Sequence, residues 1–146
     1  TVLDDMIKDY KENNIEDLKK NILIAPSWQK DNIIDLCLED ILNKLIDSDY
    51  TITVRPHPQQ VKHMKEKFEK MKEKYANNKN IIIQTDFSSN FTVFSASLLI
   101  TDWSAIAYEY AFTTKKPVVF IDTPMKVMNP EYKKIDVEPF NIWARN

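Results

Sequence analysis

Five short apolar runs, each bounded by polar residues or proline and separated by longer stretches of helical period, constrain this chain more than any other feature. They occupy residues 22–25, 50–54, 81–83, 97–101 and 117–121, are rich in β-branched residues and are almost continuously apolar. A strand exposed on one face alternates in polarity, whereas a strand covered on both faces has no need to. Such runs alternating with helical stretches are the pattern of stacked βα units. The expected fold class is therefore α/β, with a parallel sheet of about five strands.

The stretches between the runs carry their own period. Ile34, Cys37, Leu38, Ile41, Leu42 and Leu45 recur at steps of three and four, which predicts one helix of about four turns laying an apolar stripe on the sheet. Cys37 falls on that stripe as a small buried hydrophobe. Val61, Met64, Phe68, Met71 and Tyr75 predict a second helix, with Lys62, Lys65, Lys67, Lys70, Lys72 and Lys74 on its other faces. Glu66, Glu69 and Glu73 are interleaved with these lysines, so the simplest reading is a solvated surface, and docking on anionic lipid is the alternative. His63 reads as a partly exposed bystander. Leu3, Met6, Ile7 and Tyr10, then Ile15 and Leu18, predict a helix before the first strand, broken at Asn13 and Asn14. After residue 121, Pro124, Pro130 and Pro139 interrupt any long element, and Tyr132, Phe140 and Trp143 are expected to hold the tail to the body.

Composition narrows the function. A chain of 146 residues with 43% hydrophobic residues can bury a core, and a single domain over 1–146 is the expectation. Lys plus Arg total 20 against 22 Asp plus Glu, so the basic footprint of a nucleic-acid binder is absent. Glycine is absent too, which excludes both common glycine-rich phosphate-binding fingerprints. The lone Cys37, with only His57 and His63 beside it in composition, builds neither an internal disulfide nor an ordinary zinc site, and a reducing, cytoplasmic setting fits. No metal ligand and no cofactor are assigned, and with no acidic cluster to force a magnesium site the metal dependence stays open. No apolar run reaches the roughly 18 residues of a membrane span, and no basic-then-apolar leader opens the chain. The Thr1 start suggests a piece of something longer.

In an open parallel sheet, ligands bind beyond the carboxyl ends of the strands, so the residues that follow each run are the site candidates. After the first run come Ser27, Trp28, Gln29 and Lys30, which also read as a turn leading into a helix, with Ser27 or Asp31 capping and Trp28 packing. After the second comes Arg55-Pro56-His57-Pro58, where the prolines restrict the backbone and present an imidazole stiffly. Histidine changes charge near neutral pH, which makes His57 a catalytic candidate, and a loop-bound histidine is the plainer alternative. After the fourth come Asp102, Trp103, Ser104 and Ala105, opening a helix that later carries Glu109. Free N–H groups at a helix start accept an anion, helped by the Ser104 hydroxyl, unless Asp102 or Ser104 merely caps that helix. Glu109 lies little more than one turn on, where it can accept from a ribose diol or simply face solvent.

Residues 24–28 (Ile-Ala-Pro-Ser-Trp), 54–58 (Val-Arg-Pro-His-Pro), 99–105 (Leu-Ile-Thr-Asp-Trp-Ser-Ala) and 116–120 (Lys-Pro-Val-Val-Phe) resemble, in order and spacing, blocks of the CDP-glycerol glycerophosphotransferase family, the enzymes that polymerise teichoic-acid backbones. The resemblance implies the C-terminal, nucleotide-binding half of a GT-B enzyme, a Rossmann-like three-layer domain. It implies a CDP-glycerol or related CDP-polyol donor, with His57 at the pyrophosphate and leaving group and Ser104 with the helix-start amides at the phosphates. Ser27 and Trp28 fall on the cleft wall, and Arg55, Asp102, Ala105 and Glu109 complete the donor-binding set. It further implies a polymer acceptor held by a missing N-terminal domain, and peripheral association with the inner face of the cell membrane in the full-length protein. Two departures stand out: Ala105 replaces the second serine of a Ser-Ser pair, and Gln29 followed by Lys30 replaces an arginine. The family's proposed general base is a His-Gly histidine of the other half, and a chain without glycine cannot carry that motif. Such a piece is expected to bind donor without turning it over. A UDP-type nucleotide-sugar glycosyltransferase of the same architecture and a non-catalytic interaction module are the alternatives.

Overall fold

The computed structural model describes residues 1–12 and 20–143. The chain runs α1 (Val2–Glu12), β1 (Asn21–Ile24), α2 (Ile33–Leu36), α3 (Leu38–Leu45), β2 (Thr51–Val54), α4 (Pro58–His63) and α5 (Lys65–Tyr75). It continues through β3 (Ile81–Ile83), α6 (Phe91–Ser95), β4 (Leu98–Thr101), α7 (Ile106–Thr114), β5 (Val118–Phe120), a 3-10 turn (Pro130–Lys134) and α8 (Phe140–Trp143). Each strand falls within one residue of an apolar run. All pairings are parallel and the order is β3-β2-β1-β4-β5, with Ile22 opposite both Ile52 and Leu98.

Side chains alternate across a strand, so each run feeds two cores. On one face Ile22, Ile24, Ile52, Val54, Ile81, Ile83 and Ile100 meet Ile33, Leu38, Leu42 and Phe68 from α2, α3 and α5. On the other, Leu23, Ala25 and Leu99 meet Val93, Phe94 and Tyr110 from α6 and α7, with Met6 and Tyr10 of α1 packed alongside. Three layers result, and the α/β expectation with a parallel sheet of five strands holds. Burial on both faces fails at the edges, where Ile82 is 48% and Val119 42% exposed. Ile82 lies on the α6/α7 face and Val119 on the opposite one, each beyond the reach of the helices stacked over the central strands.

Two helices are not continuous as the periodicity predicts. The first breaks at Cys37 (φ −150°, ψ 5°), because the start of α2 is fixed by its own anchors while α3 turns Leu38 and Leu42 onto the sheet. The second breaks at Met64 (φ −128°, ψ 40°), which leaves Met64 off the core and exposed. Cys37 is half-buried against the core, and burial raises its thiol pKa, with Asp40 and Asp102 adding to the effect. The lysine-rich face is charge-paired: Lys67 meets Asp35, Lys70 meets Glu66, Lys72 meets Glu69 and Lys74 meets Glu39. Among the described residues no helix is long and apolar enough to cross a membrane.

α1 ends at Glu12, and the expected break at Asn13 and Asn14 and the apolar Ile15 and Leu18 lie outside the described residues. The three aromatics expected to hold the tail differ in burial. Tyr132 is half-buried, Trp143 is 66% exposed, and the Phe140 side chain lies outside the described part. Without glycine, left-handed turns fall to Lys20 (φ 63°), Asp31 (φ 58°) and Lys115 (φ 61°), each at a cost of roughly 1–2 kcal/mol that glycine would not incur. Lys115 closes α7 in this way, its N–H donating to Ala111 O.

Candidate functional site

The connection order reverses between β1 and β4, which lie side by side although far apart in sequence. Ligand crevices open beyond the carboxyl ends of strands at such a point. Here the Thr101 hydroxyl donates to the Ala25 carbonyl at 2.6 Å, closing the floor beneath a cleft of about 240 Å³. Its walls are Pro26 after β1, Arg55, Pro56, His57 and Pro58 after β2, and Ser104, Ala105 and Glu109 around the start of α7. Five of the sequence candidates therefore share one cavity: Arg55, His57, Ser104, Ala105 and Glu109.

His57 is the N-cap of α4, with Pro58 in the first turn. Its Nδ1 accepts from the Gln59 N–H at 3.1 Å, while the Gln60 Oε1 accepts from the His57 N–H at 3.0 Å, a reciprocal capping box. A ring nitrogen that accepts cannot carry the proton, so the neutral imidazole is the Nε2–H tautomer and offers a donor. Burial lowers the His57 pKa, and the Lys126 charge lowers it further. In the unfolded chain His57 regains an ordinary pKa of about 6.5, so on acidification the unfolded state takes up the proton first. This contribution to stability is therefore present above about pH 6.5 and is lost as pH falls through the folded pKa. An NMR titration of the imidazole should give a midpoint below that of a model peptide; a midpoint above it would contradict the cap.

Arg55 faces the cleft from a different job. It is 8% exposed, its Nη1 donates to Gln84 Oε1 at 3.3 Å and Ser89 O at 3.0 Å, its Nη2 donates to Asn90 Oδ1 at 3.2 Å, and the guanidinium lies 5.2 Å from the Phe87 ring centroid. These contacts tie down the loop between β3 and α6. Burial disfavours its charged form, offset in part by Asp86.

Asp102 is fully buried, and its carboxylate clamps two distant backbone groups: Oδ1 accepts from the Ser27 N–H at 2.7 Å and Oδ2 from the Ile33 N–H at 3.2 Å. It thus caps α2, beside Asn32, rather than the helix that follows it in sequence. That helix, α7, has Ala105 as N-cap with no side-chain cap. Its Ala107 and Tyr108 N–H groups donate to the Ser104 and Ala105 carbonyls at 3.3 and 3.1 Å, so among its leading amides the Ile106 N–H, at the cleft, is the one left without an acceptor among the described residues. Ser27 lies beside Pro26, and its hydroxyl is buried without a hydrogen-bond partner among the described residues. Trp28 lies one step outside the cleft. It stacks on His57 (centroids 6.4 Å, planes 22° apart) and on His63 (5.8 Å, 16°), and it lines a neighbouring cavity of about 820 Å³.

Three contributors escape the sequence reading. Gln60 completes the His57 cap, and its spacing three residues after the cap was the available signal. His63 reaches Trp28 only through the fold, without a local pattern to mark it. Lys126 sits on an arm after β5 that Gln29 and Trp103 fasten to the body: Gln29 Nε2 donates to Thr123 Oγ1 (3.3 Å) and Pro124 O (3.2 Å), and Trp103 Nε1 to Thr123 O (2.9 Å). Among the described residues no three His, Cys, Asp or Glu side chains gather as a metal-binding group.

The family model described as CDP-Glycerol:Poly(glycerophosphate) glycerophosphotransferase matches residues 4–130. No curated protein matches the chain significantly. Among solved structures the chain is similar to the wall teichoic acid polymerase TagF, in a histidine-to-asparagine variant soaked with CDPG, at 26% identity and a TM-score of 0.48, covering 80% of this chain and 27% of that one. It is also similar to the C-terminal domain of a glycosyl transferase group 1 family protein, LpcC, from Francisella tularensis, at 16% identity and a TM-score of 0.45, covering 79% and 64% of the two chains. The chain thus spans 27% of the length of the first of these.

Proposed function

The chain belongs to the CDP-glycerol:poly(glycerophosphate) glycerophosphotransferase family, and from that premise we propose that it is the donor-binding domain of an enzyme that transfers a polyol phosphate from a CDP-activated donor to a growing teichoic-acid-like polymer. The observation that carries this reading is the convergence of His57, Ser104 and the uncapped start of α7 on one cleft at the point where the sheet order reverses.

In the complete enzyme an acceptor hydroxyl attacks the β-phosphorus of the donor. A phosphodiester forms, the pyrophosphate P–O bond breaks, and CMP leaves with the electron pair. The His57 Nε2–H, the Ser104 hydroxyl and the Ile106 N–H at the start of α7 oppose the negative charge that develops on the phosphates and the leaving group, the contribution that dominates phosphoryl transfer. Asp102 acts by holding Ser27 and α2 in place, and Arg55 by holding the β3–α6 loop, so their part in donor binding is positional. Ser27 and Trp28 form the adjoining wall, and Glu109 is the candidate partner for a ribose diol. The acceptor, its general base and attachment to the inner membrane face belong to the rest of the enzyme on this reading, and the single domain binds without turnover. The charge pairing of the lysine-rich helix face supports leaving membrane contact to other parts of the protein.

Calorimetric titration with CDP-glycerol, CDP-ribitol, CMP and UDP-sugars tests the proposal. Saturable binding of the cytidine ligands is expected. Preference for uridine ligands would move the domain to a sugar-transferring enzyme, and absence of binding at millimolar ligand would remove the donor site from this chain.

A further inference from the structure

The phosphates of a nucleoside diphosphate donor carry charge that an unspent cation can oppose, and the cations around this domain are unequal in this respect. Arg55 points three hydrogen bonds into residues 84–90 and lies over Phe87. The Lys116 ammonium lies at the other end of the sheet, before β5, and donates to Phe94 O at 2.7 Å and Ala96 O at 2.9 Å. Lys126 is half-buried and, among the described residues, makes no hydrogen bond or ion pair. It lines two cavities that flank the cleft: one of about 410 Å³, which shares Ala105 with it, and one of about 820 Å³, walled by the Trp28 that stacks on His57. The arm that carries it is fastened at Thr123 and Pro124, just before it in the chain, by Gln29 and Trp103.

We propose that Lys126 is the phosphate-contacting cation of this site, brought from the arm after β5 to the pyrophosphate of the donor, while Arg55 serves the loop behind it. The proposal rests on the donor-binding reading above. The charge of Lys126 reaches His57 and disfavours its protonation, which fits a neutral Nε2–H donor beside a separate ammonium. A buried, fully engaged guanidinium cannot rotate onto a ligand without abandoning three acceptors, whereas an unpartnered ammonium on a flexible stem can.

The test compares wild type with Lys126→Met and Lys126→Arg against CDP-glycerol and against cytidine, with His57 followed by NMR. Lys126→Met should weaken CDP-glycerol binding roughly tenfold or more, the usual scale for a charge-assisted contact, and leave cytidine binding within about twofold. Its affinity for CDP-glycerol should also depend less steeply on salt. Lys126→Arg should retain most of the affinity, and Lys126→Met should raise the His57 midpoint. Equal CDP-glycerol affinity in wild type and Lys126→Met overturns the assignment while leaving the donor reading intact. Equal losses for CDP-glycerol and cytidine overturn it as well, because the lysine would then act on the fold. Failure of wild type itself to bind CDP-glycerol overturns both.

Discussion

Asp102→Ala is expected to be the most destabilising single substitution at the site, costing about 3 kcal/mol and lowering Tm by about 10 °C. The reason is the pair of backbone donors it satisfies. With the carboxylate gone, the Ser27 and Ile33 N–H groups lose their acceptors in a region from which water is excluded, and each orphaned donor costs about 1–3 kcal/mol. Asp102→Asn keeps the shape but offers one acceptor oxygen in place of two, so it should fall between alanine and wild type. Urea unfolding followed by circular dichroism measures both. A midpoint for Asp102→Ala equal to wild type would show that the clamp does not hold β1 and α2 together.

His57 carries the largest expected functional effect, and its double role as cap and donor calls for two substitutions. His57→Asn retains a side-chain acceptor at the N-cap of α4, a position where asparagine is among the best residues, but lacks the imidazole Nε2–H. In the full-length protein it should keep a near-normal Tm while transfer, read as CMP release, falls about 10²–10³-fold, the scale of losing one preorganised donor to developing charge. His57→Ala should lose the same activity and about 1 kcal/mol of stability besides. Near-normal turnover in His57→Asn would reduce His57 to a helix cap and leave the phosphates to Ser104 and the start of α7.

The cap also explains why the Arg55-Pro56-His57-Pro58 stretch could be recognised locally as a candidate site. Pro58 in the first turn, His57 at the cap and Gln60 three residues on are neighbours in sequence, so their geometry is set by short-range rules. Ser104 and Ala105 were legible as candidates for the same reason, since a strand end followed by a helix start brings backbone N–H groups to the mouth of the sheet wherever the rest of the chain goes. The four blocks that carry the family resemblance lie in these same local turns.

Asp102 and Arg55 were legible as site candidates but not as what they do. Each stands where a ligand contact is expected, yet the partners of Asp102 lie 75 and 69 residues away and those of Arg55 29 to 35 away. Whether a polar side chain at a strand end serves a ligand or a loop depends on which groups the fold brings within reach, and buried polar groups take the first good partner available. Lys126 is the converse: nothing near it in sequence marks it, and only the fastening of its arm by Gln29 and Trp103 brings its charge within electrostatic reach of His57.

By itself, then, the sequence determined the strand positions, the α/β class, the parallel sheet and the turns that gather at its carboxyl end, because these follow from apolar periodicity and from the local chemistry of caps and prolines. The tertiary structure alone decided the breaks at Cys37 and Met64, the exposed faces of the edge strands, and the division of the polar residues between holding the fold and facing the cleft. Those depend on contacts across tens of residues, where the energies that choose a partner come from packing and desolvation rather than from the order of neighbours along the chain.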